Sequence, residues 1–526
     1  ATLSAVSPQS GGLAEAKVEG PLAHALSALD IDALVLVGHA PSTAGVVIEP
    51  GNAGVTIQWV APRGLADANV WETDTAVRTS ARDVVLTTGY AGMNRHPGAS
   101  IVTNCGFPSA QGGLGAVLGE LNVKYIAIRP GDDNRTPTTT QAQLTRDYEA
   151  GIEGNPLTKS ERDLPGFALW PASNLHGYAG SGAFQGTPSH GLTSFVASDY
   201  LAWITDEGSE ACPGCPQSCL KAFGASPHDP VDGGRAHQIG MASFALREDA
   251  PDPETVVSFN GLCHKLGIEH LYAAQAIAGQ AKLSGNTLEQ SLVSAFAAGK
   301  KPVPSAWTVK GMVLPPFDPR GNQGLGVGYA INPTGPRYDV LEHDIDFDPA
   351  FLPPVRVERG TEFGVPAGGL PMGTLDHRRY ESLEQLWLCW SGLDALGVCE
   401  YAAPPTRELT VDGICSLVSE HSGQLFSRED LMLVGKVRLG ILRSANAILG
   451  VPTVADQLPE HFFETPIEGG GLDGVVLDRD EFERAVAFLM EKFEWAPEGI
   501  TRAGQVSEAV KTAHTATARL MEGAQL

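Results

Sequence analysis

The sequence lacks any apolar run long enough to form a membrane-spanning helix. Although 43% of its 526 residues are hydrophobic, no uninterrupted run approaches the roughly 18 residues that a membrane crossing needs. Basic residues are also scarce, since 36 Lys and Arg oppose 61 Asp and Glu and leave a net charge of −25. That imbalance argues against a broad phosphate-binding face. These absences predict a large protein with neither a membrane span nor a nucleic-acid partner.

A secretory signal peptide and a regular series of cysteine pairs are missing too. Ala1 is interpreted as the residue left after methionine removal rather than as a processed export boundary. Disulfide-rich secreted chains spread their cysteines in pairs, whereas most of these cysteines stand singly. We therefore expect a cytoplasmic protein whose isolated cysteines are buried, reduced thiols: Cys105, Cys263, Cys389 and Cys415.

Three of the eight cysteines are nevertheless concentrated in one short run, CPGCPQSC, as Cys212, Cys215 and Cys219. Thiolates at a C-x2-C-x3-C spacing, with Pro216 directly after the second, suit an iron–sulfur cluster whose fourth ligand comes from elsewhere in the chain. A zinc site that takes a fourth ligand from another segment is the alternative. The triplet predicts a metal centre.

A carboxylate and a thiolate share the segment DALGVC, which contains Asp394, Gly397 and Cys399, and a weaker echo, HKLGIE, runs from His264 to Glu269. Here the chain resembles the tungsten-dependent aldehyde:ferredoxin oxidoreductase family, in which paired D-x-x-G-L-[D/C] segments bind the two halves of a bis-pyranopterin cofactor. The resemblance implies that Asp394 and Gly397 bind a pterin and that Cys399 is the fourth cluster ligand. His264 and Glu269 stand where the family has two aspartates.

The resemblance extends in order along most of the chain. The matching segments are SPQSGGLAEAKVEGP from Ser7, IDALVLVGHA from Ile31, VWETDT from Val70, QGGLGAVLGELNVKYIAI from Gln111, VKGMVLPPFDPRGNQGLGVGYA from Val309 and FSREDLMLVGKVRLGILRSANAILGV from Phe426. It implies a 4Fe-4S cluster and a tungsten or molybdenum bis-pyranopterin, with magnesium as a further candidate. Arg320 is a candidate ligand for a cofactor phosphate or for a magnesium-bridged phosphate, and a loop-bracing arginine is the alternative.

Two departures from the family pattern concern its chemistry. The family's N-terminal β-rich segment with a Gly-Gly-Arg-Gly turn has no match here, so we expect a separate small subunit to supply it or the site to be altered. The family's catalytic glutamates and histidine correspond to Ala236, Gln238 and Tyr338. The nearest titratable groups, and hence the catalytic candidates, are His237, Tyr338 and His343.

Pattern and resemblance together predict an α+β protein, with a β-rich domain followed by two mainly helical domains and the cofactor at their interface. The expected domains are 1–135 with the pterin base, 136–305 with the cysteine triplet and 306–526 with the DxxGVC segment. β-like runs ALVLVG and VTIQWV fall in the first domain, where GGLG should open a helix whose amides could meet an anion.

Helix signals lie in the second half of the chain. They predict helices through LYAAQAIAGQAKL, after the Ser427 and Asp430 capping pair, over 479–495 and over 502–521. Arg438 and Arg443, within the second of these, are interpreted as surface charges.

The resemblance implies an oxidoreductase that converts an aldehyde to a carboxylate and passes electrons through the cluster. Two alternatives stay open: a reductase of an activated acid or aromatic thioester, and a non-catalytic electron-transfer subunit. The expected partners are a small-molecule substrate and either a ferredoxin or a dedicated electron-transfer subunit. Because ferredoxins are usually acidic, docking one on a chain of charge −25 would require a local basic patch.

Overall fold

The computed structural model describes residues 1–495 apart from 53, 132–135, 164–174, 181–183, 185–195, 206–210, 225–232, 237, 246–251, 281–282, 301–305, 352–357 and 453–454. A β-rich region comes first, and mostly helical chain follows it. This order confirms the predicted fold class. No helix in the described ranges is long and apolar enough to cross a membrane.

The N-terminal region contains a hairpin and a six-stranded sheet. Its elements are β1 Thr2–Val6, β2 Leu13–Lys17, α1 Leu22–Ala28, β3 Ala44–Gly51, β4 Gly54–Val60, α2 Val70–Val77, β5 Val84–Thr88, α3 Tyr90–Met93, β6 Ile101–Thr103, β7 Phe107–Pro108, α4 Leu114–Glu120 and β8 Val123–Ile128. Strands β1 and β2 pair antiparallel. The large sheet has the order β4-β3-β8-β5-β6-β7, with β3 and β8 parallel and its other neighbours antiparallel.

Helices dominate the rest of the described chain. They are α5 Thr139–Gly154, α6 Pro156–Asp163, α7 Gln238–Ala245, α8 Pro253–Leu266, α9 His270–Ala276, α10 Gly285–Ala295, α11 Gln323–Ile331, α12 His377–Leu396, α13 Val411–Ser422, α14 Arg428–Ile448, α15 His461–Glu464 and α16 Arg479–Lys492. Short 3-10 helices cover Ala197–Trp203, Tyr338–Val340, Asp344–Phe347 and Gly360–Phe363. Two-residue strands pair β9 Lys221–Ala222 with β10 Arg235–Ala236, and β11 Thr308–Val309 with β12 Met312–Val313.

Local sequence signals explain several element boundaries. The Ser427 side chain accepts a hydrogen bond from the Asp430 amide, and the Asp430 carboxylate accepts one from the Ser427 amide, so the predicted capping box begins α14. VTIQWV forms β4, and α4 begins at Leu114, directly after Gly113. These three predictions are confirmed.

Three sequence predictions differ from the structure. The helix predicted through LYAAQAIAGQAKL ends at Ala276, because Ile277 leaves the helical conformation, and residues 281–282 lie outside the described ranges. The helix predicted over 479–495 ends at Lys492, whereas 502–521 lies beyond the described residues. ALVLVG joins no sheet in the described structure, since no neighbouring strand runs alongside it.

Candidate metal and cofactor site

The cysteine triplet lies on a turn-rich loop that precedes β9. The amide of Gly20, next to the first hairpin, donates a hydrogen bond to Cys212 Sγ at 3.2 Å. Burial raises the pKa of Cys212 to about 11 and that of Cys219 well above its usual value. A backbone N–H aimed at a cysteine sulfur stabilises a thiolate, which is the form that binds metal.

Cys399 lies far along the chain from the cysteine triplet and follows the C-terminus of α12. Gly397 takes a left-handed conformation with φ of 73°, and the amide of Val398 returns to the carbonyl of Leu393 at 3.0 Å. Glycine adopts that conformation without a steric penalty, so this turn ends the helix and sets the path of Cys399. The role of Gly397 in the structure is therefore to make this turn.

The structure brings the four cysteines into one electrostatic neighbourhood. Burial is the main cause of the raised pKa of Cys219, and the charges of Cys399, Cys215 and Cys212 raise it further. Cys399 likewise has a pKa raised by burial, by Glu400 and Glu19, and by Cys212. Cys399 is itself an exposed residue in the described structure.

The donor set suits a cluster better than a single ion. Within the described ranges, no three His, Cys, Asp or Glu side chains approach one another closely enough to hold one metal ion. A zinc ion needs its four ligands around one centre, with Zn–S bonds of about 2.3 Å. An iron–sulfur cluster spreads its four thiolates over several irons. The four thiols would suit a cluster, and zinc stays open as the alternative.

Asp394 lies in a buried network of charges beside Cys399. Lys17 Nζ on β2 is 2.6 Å from Asp394 Oδ1, and Arg438 Nη2 on α14 is 3.4 Å from Asp394 Oδ2. Arg438 also pairs with Glu15 on the hairpin. Burial disfavours the charged amine of Lys17, but the carboxylates led by Asp394 outweigh it and raise its pKa above the usual value. This network ties the N-terminal hairpin to the helices that carry the second segment.

The interpretation of Arg438 and Arg443 as surface charges is wrong. Arg438 is turned toward Asp394, and Arg443 is buried with its Nη2 2.6 Å from Asp456 Oδ2. Lys310 Nζ joins the same carboxylate at 2.9 Å. Each arginine alone was compatible with an exposed helix face, and only the tertiary packing supplied its acidic partner.

The first segment, HKLGIE, repeats the local geometry of the second. Helix α8 ends at Gly267 with φ of 66°, and the amide of Ile268 bonds the carbonyl of Cys263 at 2.9 Å. His264 Nδ1 lies 2.9 Å from the carbonyl of Cys105, and burial lowers the pKa of this histidine to about 4. The two segments thus share a helix end, a left-handed glycine and a buried residue before it.

Glu269 binds the glycine-rich loop directly. Its carboxylate accepts hydrogen bonds from the Gly113 amide at 2.6 Å and from Gln9 Nε2 at 2.8 Å. A Cβ on Gly113 would lie 2.5 Å from the carbonyl oxygen of Pro97, and the φ of Gly113 is 75°, so only glycine fits there. Burial raises the pKa of Glu269 to about 8. The sequence suggested that the amides at the start of α4 could bind an anion. In the structure, the carboxyl group at this position is that of Glu269, a residue of the protein itself.

In the first segment, the buried His264 Nε2 has no hydrogen-bond partner among the described residues. In the second, Asp394 Oδ1 already has the Lys17 ammonium at 2.6 Å. Buried polar groups in native proteins normally have a partner. Because His264 Nδ1 donates to the Cys105 carbonyl and burial keeps the ring neutral, Nε2 is a hydrogen-bond acceptor. This acceptor in one segment and the Asp394 carboxylate in the other suit the N–H groups along the polar edge of a pterin. The residues present therefore fit such a group, although His264 and Glu269 replace its usual aspartates.

Arg320 is committed within the protein. Its guanidinium donates to both carboxylate oxygens of Asp318 and to the carbonyls of Thr465, Pro466 and Phe184. Because an arginine has five N–H donors, these five bonds leave none for a phosphate. The structure favours the loop-bracing alternative for Arg320.

Of the catalytic candidates within the described residues, Tyr338 shares charged neighbours with Cys399. Burial raises its pKa well above the usual value, and Glu400, Asp339 and Glu19 raise it further. Glu400 and Glu19 also act on Cys399, so Tyr338 and Cys399 share a neighbourhood. Both nitrogens of His343 are engaged, Nδ1 with the Tyr178 hydroxyl and Nε2 with the Tyr338 carbonyl at 2.8 Å. His237 lies outside the described residues.

Lys17 and Glu15 are site residues that the sequence reasoning missed. They alternate with the buried Ala14 and Ala16, so both project from one face of β2. That alternation within the SPQSGG segment was the available signal. It shows which face carries charge but does not identify Asp394 and Arg438, far along the chain, as the partners.

Comparison with known proteins matches two parts of the chain to the same family. Residues 1–130 match the aldehyde ferredoxin oxidoreductase N-terminal domain, and residues 294–508 match aldehyde ferredoxin oxidoreductase domains 2 and 3. The tungsten-containing aldehyde ferredoxin oxidoreductase of Pyrococcus furiosus is 21% identical over 88% of this chain and 80% of its own length. The protein of the same name from Thermococcus kodakarensis is 21% identical over 90% and 81%.

A solved structure shares the fold over nearly the whole chain. It is the active site complex BamBC of benzoyl coenzyme A reductase with 1,5 dienoyl-CoA, with a TM-score of 0.73 and 16% identity. The match covers 97% of this chain and 85% of that one. At this identity the likeness concerns architecture.

Proposed function

The chain belongs to the aldehyde ferredoxin oxidoreductase family, and from that premise we propose that it is a bis-pyranopterin oxidoreductase that converts an aldehyde to a carboxylate. Membership makes it an oxidoreductase on a tungsten-enzyme scaffold. The observation that supports the finer proposal is that Cys399, shortly after Asp394, lies close enough to Cys212, Cys215 and Cys219 for their charges to act on one another. Cluster thiols and a candidate pterin carboxylate thus share one helix end.

The residues that would hold the cofactors follow from this arrangement. The four cysteines would bind a 4Fe-4S cluster, and Asp394 and His264 would offer Oδ1 and Nε2 to the two pterins. When bound, the tungsten or molybdenum pterin supplies two-electron chemistry and the cluster supplies the electron exit. The overall conversion of an aldehyde and water to a carboxylate releases three protons and two electrons.

The chain itself must hold those protons and exclude bulk water. Tyr338 is the candidate proton donor that shares charged neighbours with Cys399, and its raised pKa keeps the phenol protonated at neutral pH. His343 holds the Tyr338 backbone through its Nε2 contact and thereby positions the residue. We propose Tyr338 as the group that meets the substrate and His343 as its positioning residue.

The second candidate function is the reduction of an activated acid or aromatic thioester. Two observations favour keeping it: Ala236 and Tyr338 replace the acidic and histidine positions of the family pattern, and the chain shares its fold with a benzoyl coenzyme A reductase complex. We propose in either case that the electron partner is a ferredoxin or a dedicated subunit. We also propose a small partner polypeptide, as part of a multisubunit assembly in the cytoplasm.

The direction of electron flow can be tested with dyes. Holoenzyme should reduce a viologen when given aldehydes, whereas a thioester reductase should oxidise a reduced viologen when given aromatic thioesters. Tyr338→Phe removes only the hydroxyl and should lower kcat in the productive direction by about 100-fold. His461→Gln, remote in sequence and bonded to the carbonyl of Phe184, is the matched control. Equal activity in wild type and Tyr338→Phe would contradict the role given to Tyr338, and activity in neither direction would favour a non-catalytic electron-transfer subunit.

A further inference from the structure

Residues 32–38, the run DALVLVG, have the side-chain pattern of a strand. Leu34 and Leu36 are half-buried and pack against the core of the large sheet, whereas Val35 and Val37 are 57% and 44% exposed. Strict alternation of this kind places successive side chains on opposite faces, as in an extended chain. The inner face of the segment is thus already docked, and its outer face is apolar and open.

The backbone of this segment pairs with no strand among the described residues. The Ile31 amide bonds the carbonyl of Leu26 and the Ala40 amide bonds the carbonyl of Leu121, so both ends are fixed. Between them, no backbone hydrogen bond to residues 32–39 occurs in the part of the chain that the structure describes. An extended segment with fixed ends and a row of free N–H and C=O groups is an open strand edge.

A second apolar stripe lies on the same side of the sheet. In the edge strand β4, Ile57 and Trp59 are 54% and 55% exposed. They stand directly opposite Ile48 and Val46 of β3 and therefore share their face. Val46 and Ile48 belong to the core cluster against which Leu34 and Leu36 pack. One side of the sheet thus carries both the unpaired segment and the exposed stripe.

We propose that residues 32–38 accept an extended strand of another polypeptide, which completes the sheet by β-augmentation. Main-chain hydrogen bonds would satisfy the free backbone groups, and alternate apolar side chains would cover the exposed stripe. Asp30 and Asp32 both lie at the N-terminal end of the segment, and neither makes an ion pair among the described residues. The partner strand therefore has apolar residues at alternate positions and a basic residue at the end that meets these two carboxylates.

A second copy of the chain fits this edge less well. Each copy has a net charge of −25, and self-pairing would place the Asp30 and Asp32 carboxylates of both copies around one small contact. Like charges at that spacing oppose association. The same argument favours a partner that is less acidic than this chain.

The inference rests on the proposed partner polypeptide but not on the proposed redox chemistry. Amide hydrogen exchange should be measured on holoenzyme isolated from its own organism and on the chain produced alone. In the isolated holoenzyme, exchange of the amides between Asp32 and Gly38 should be slower by about tenfold or more. Metal content and dye reduction, measured on the same samples, report on the redox proposal separately.

A photo-crosslinking residue at position 35 identifies what lies on the edge. A crosslink to a different polypeptide, in a stretch with alternate apolar residues, is the expected result. A crosslink to residues 32–38 of a second copy, a crosslink to another stretch of the same polypeptide, or equally fast exchange in both samples would each overturn the proposal. Val35→Lys should abolish both crosslinking from position 37 and the protection, because lysine on an edge opposes pairing. Leu425→Lys, at a residue that is 92% exposed, is the matched control and should change neither.

Discussion

The segments HKLGIE and DALGVC end their helices in the same way and place their functional side chains in opposite environments. Both use a left-handed glycine, Gly267 in one and Gly397 in the other. The first segment is closed: burial lowers the pKa of His264 to about 4 and raises that of Glu269 to about 8, so it favours the neutral form of each. The second is open at Cys399 and highly charged at Asp394.

This difference separates the two tasks of the site. Neutral groups in a dry setting can recognise a polar ligand edge by hydrogen bonds without paying for a buried charge. Charged groups that compensate one another, such as Lys17 with Asp394, fix a rigid frame around the thiols. We therefore propose that the first segment binds the cofactor, and that the second is a rigid frame that also carries a metal ligand.

The largest expected effect is the loss of a cluster ligand from the second segment. Cys399→Ala should convert a four-iron cluster to a three-iron form or lower the iron content, because the fourth thiolate is gone. Electron paramagnetic resonance and iron analysis measure the change. Cys389→Ala, which removes a fully buried thiol from α12, the helix that precedes Cys399, is the control and should leave the cluster intact. An unaltered four-iron spectrum in Cys399→Ala would remove the assignment.

The next largest expected effect is the loss of stability when Asp394 is removed from its ion pairs with Lys17 and Arg438. Asp394→Ala leaves Lys17 and Arg438 without their shared carboxylate, and loss of one partner from a buried ion pair costs about 3 kcal/mol. The free energy of unfolding from urea titration measures it. Glu362→Ala breaks the exposed pair with Arg428 and should cost less than about 1 kcal/mol. Equal costs for the two variants would show that the frame does not stabilise the fold.

Removing the Glu269 carboxylate from the first segment should lower the free energy of unfolding by less than the loss of Asp394 does. Glu269→Ala leaves the Gly113 amide and Gln9 Nε2 without their acceptor, a loss of about 2 kcal/mol for buried donors. Glu269→Gln keeps an acceptor oxygen and should recover part of that loss. Urea titration of the three proteins at one pH gives the comparison. If Ala and Gln behave alike, the hydrogen bonds are not what Glu269 contributes.

The smallest expected effect is a difference between wild type and Glu269→Gln in how the free energy of unfolding depends on pH. The pKa of Glu269 is raised to about 8 in the fold, so the folded state keeps a proton that the unfolded state has lost. Stability contributed by this group therefore falls as pH rises from its unfolded pKa to about 8. Between about pH 6.5 and pH 8, the free energy of unfolding of wild type should therefore fall relative to that of Glu269→Gln. Parallel curves over that window would contradict a protonated Glu269.

The sequence predicted what depends on local chemistry and missed what depends on distant partners. The Ser427 capping box, the helix that begins after Gly113 and β4 follow from residues within a few positions of one another. Of the partners of Arg438, Glu15 lies more than half the chain away and Asp394 lies on a different helix, and no local pattern identifies either of them. For the same reason ALVLVG was predicted as a strand, since its alternation is real but its ladder needs a neighbour.

The placement of the site residues shows the same limit. The spacing C-x2-C-x3-C indicated a metal centre, and the family resemblance was needed to single out Cys399 as the fourth thiol. The competing interpretations of Arg320 could not be separated without knowing that Asp318 and three carbonyls surround its guanidinium. Assignment of the cofactor ligands and of Tyr338 stays a prediction.

The central claim is that four cysteines and two helix ends hold a cluster beside a metal pterin. The most direct test is the metal and pterin content of the protein isolated with the polypeptides that accompany it. We predict about four irons per chain together with stoichiometric tungsten or molybdenum and pterin. Zinc in place of iron, or iron without tungsten, molybdenum or pterin, would contradict the claim.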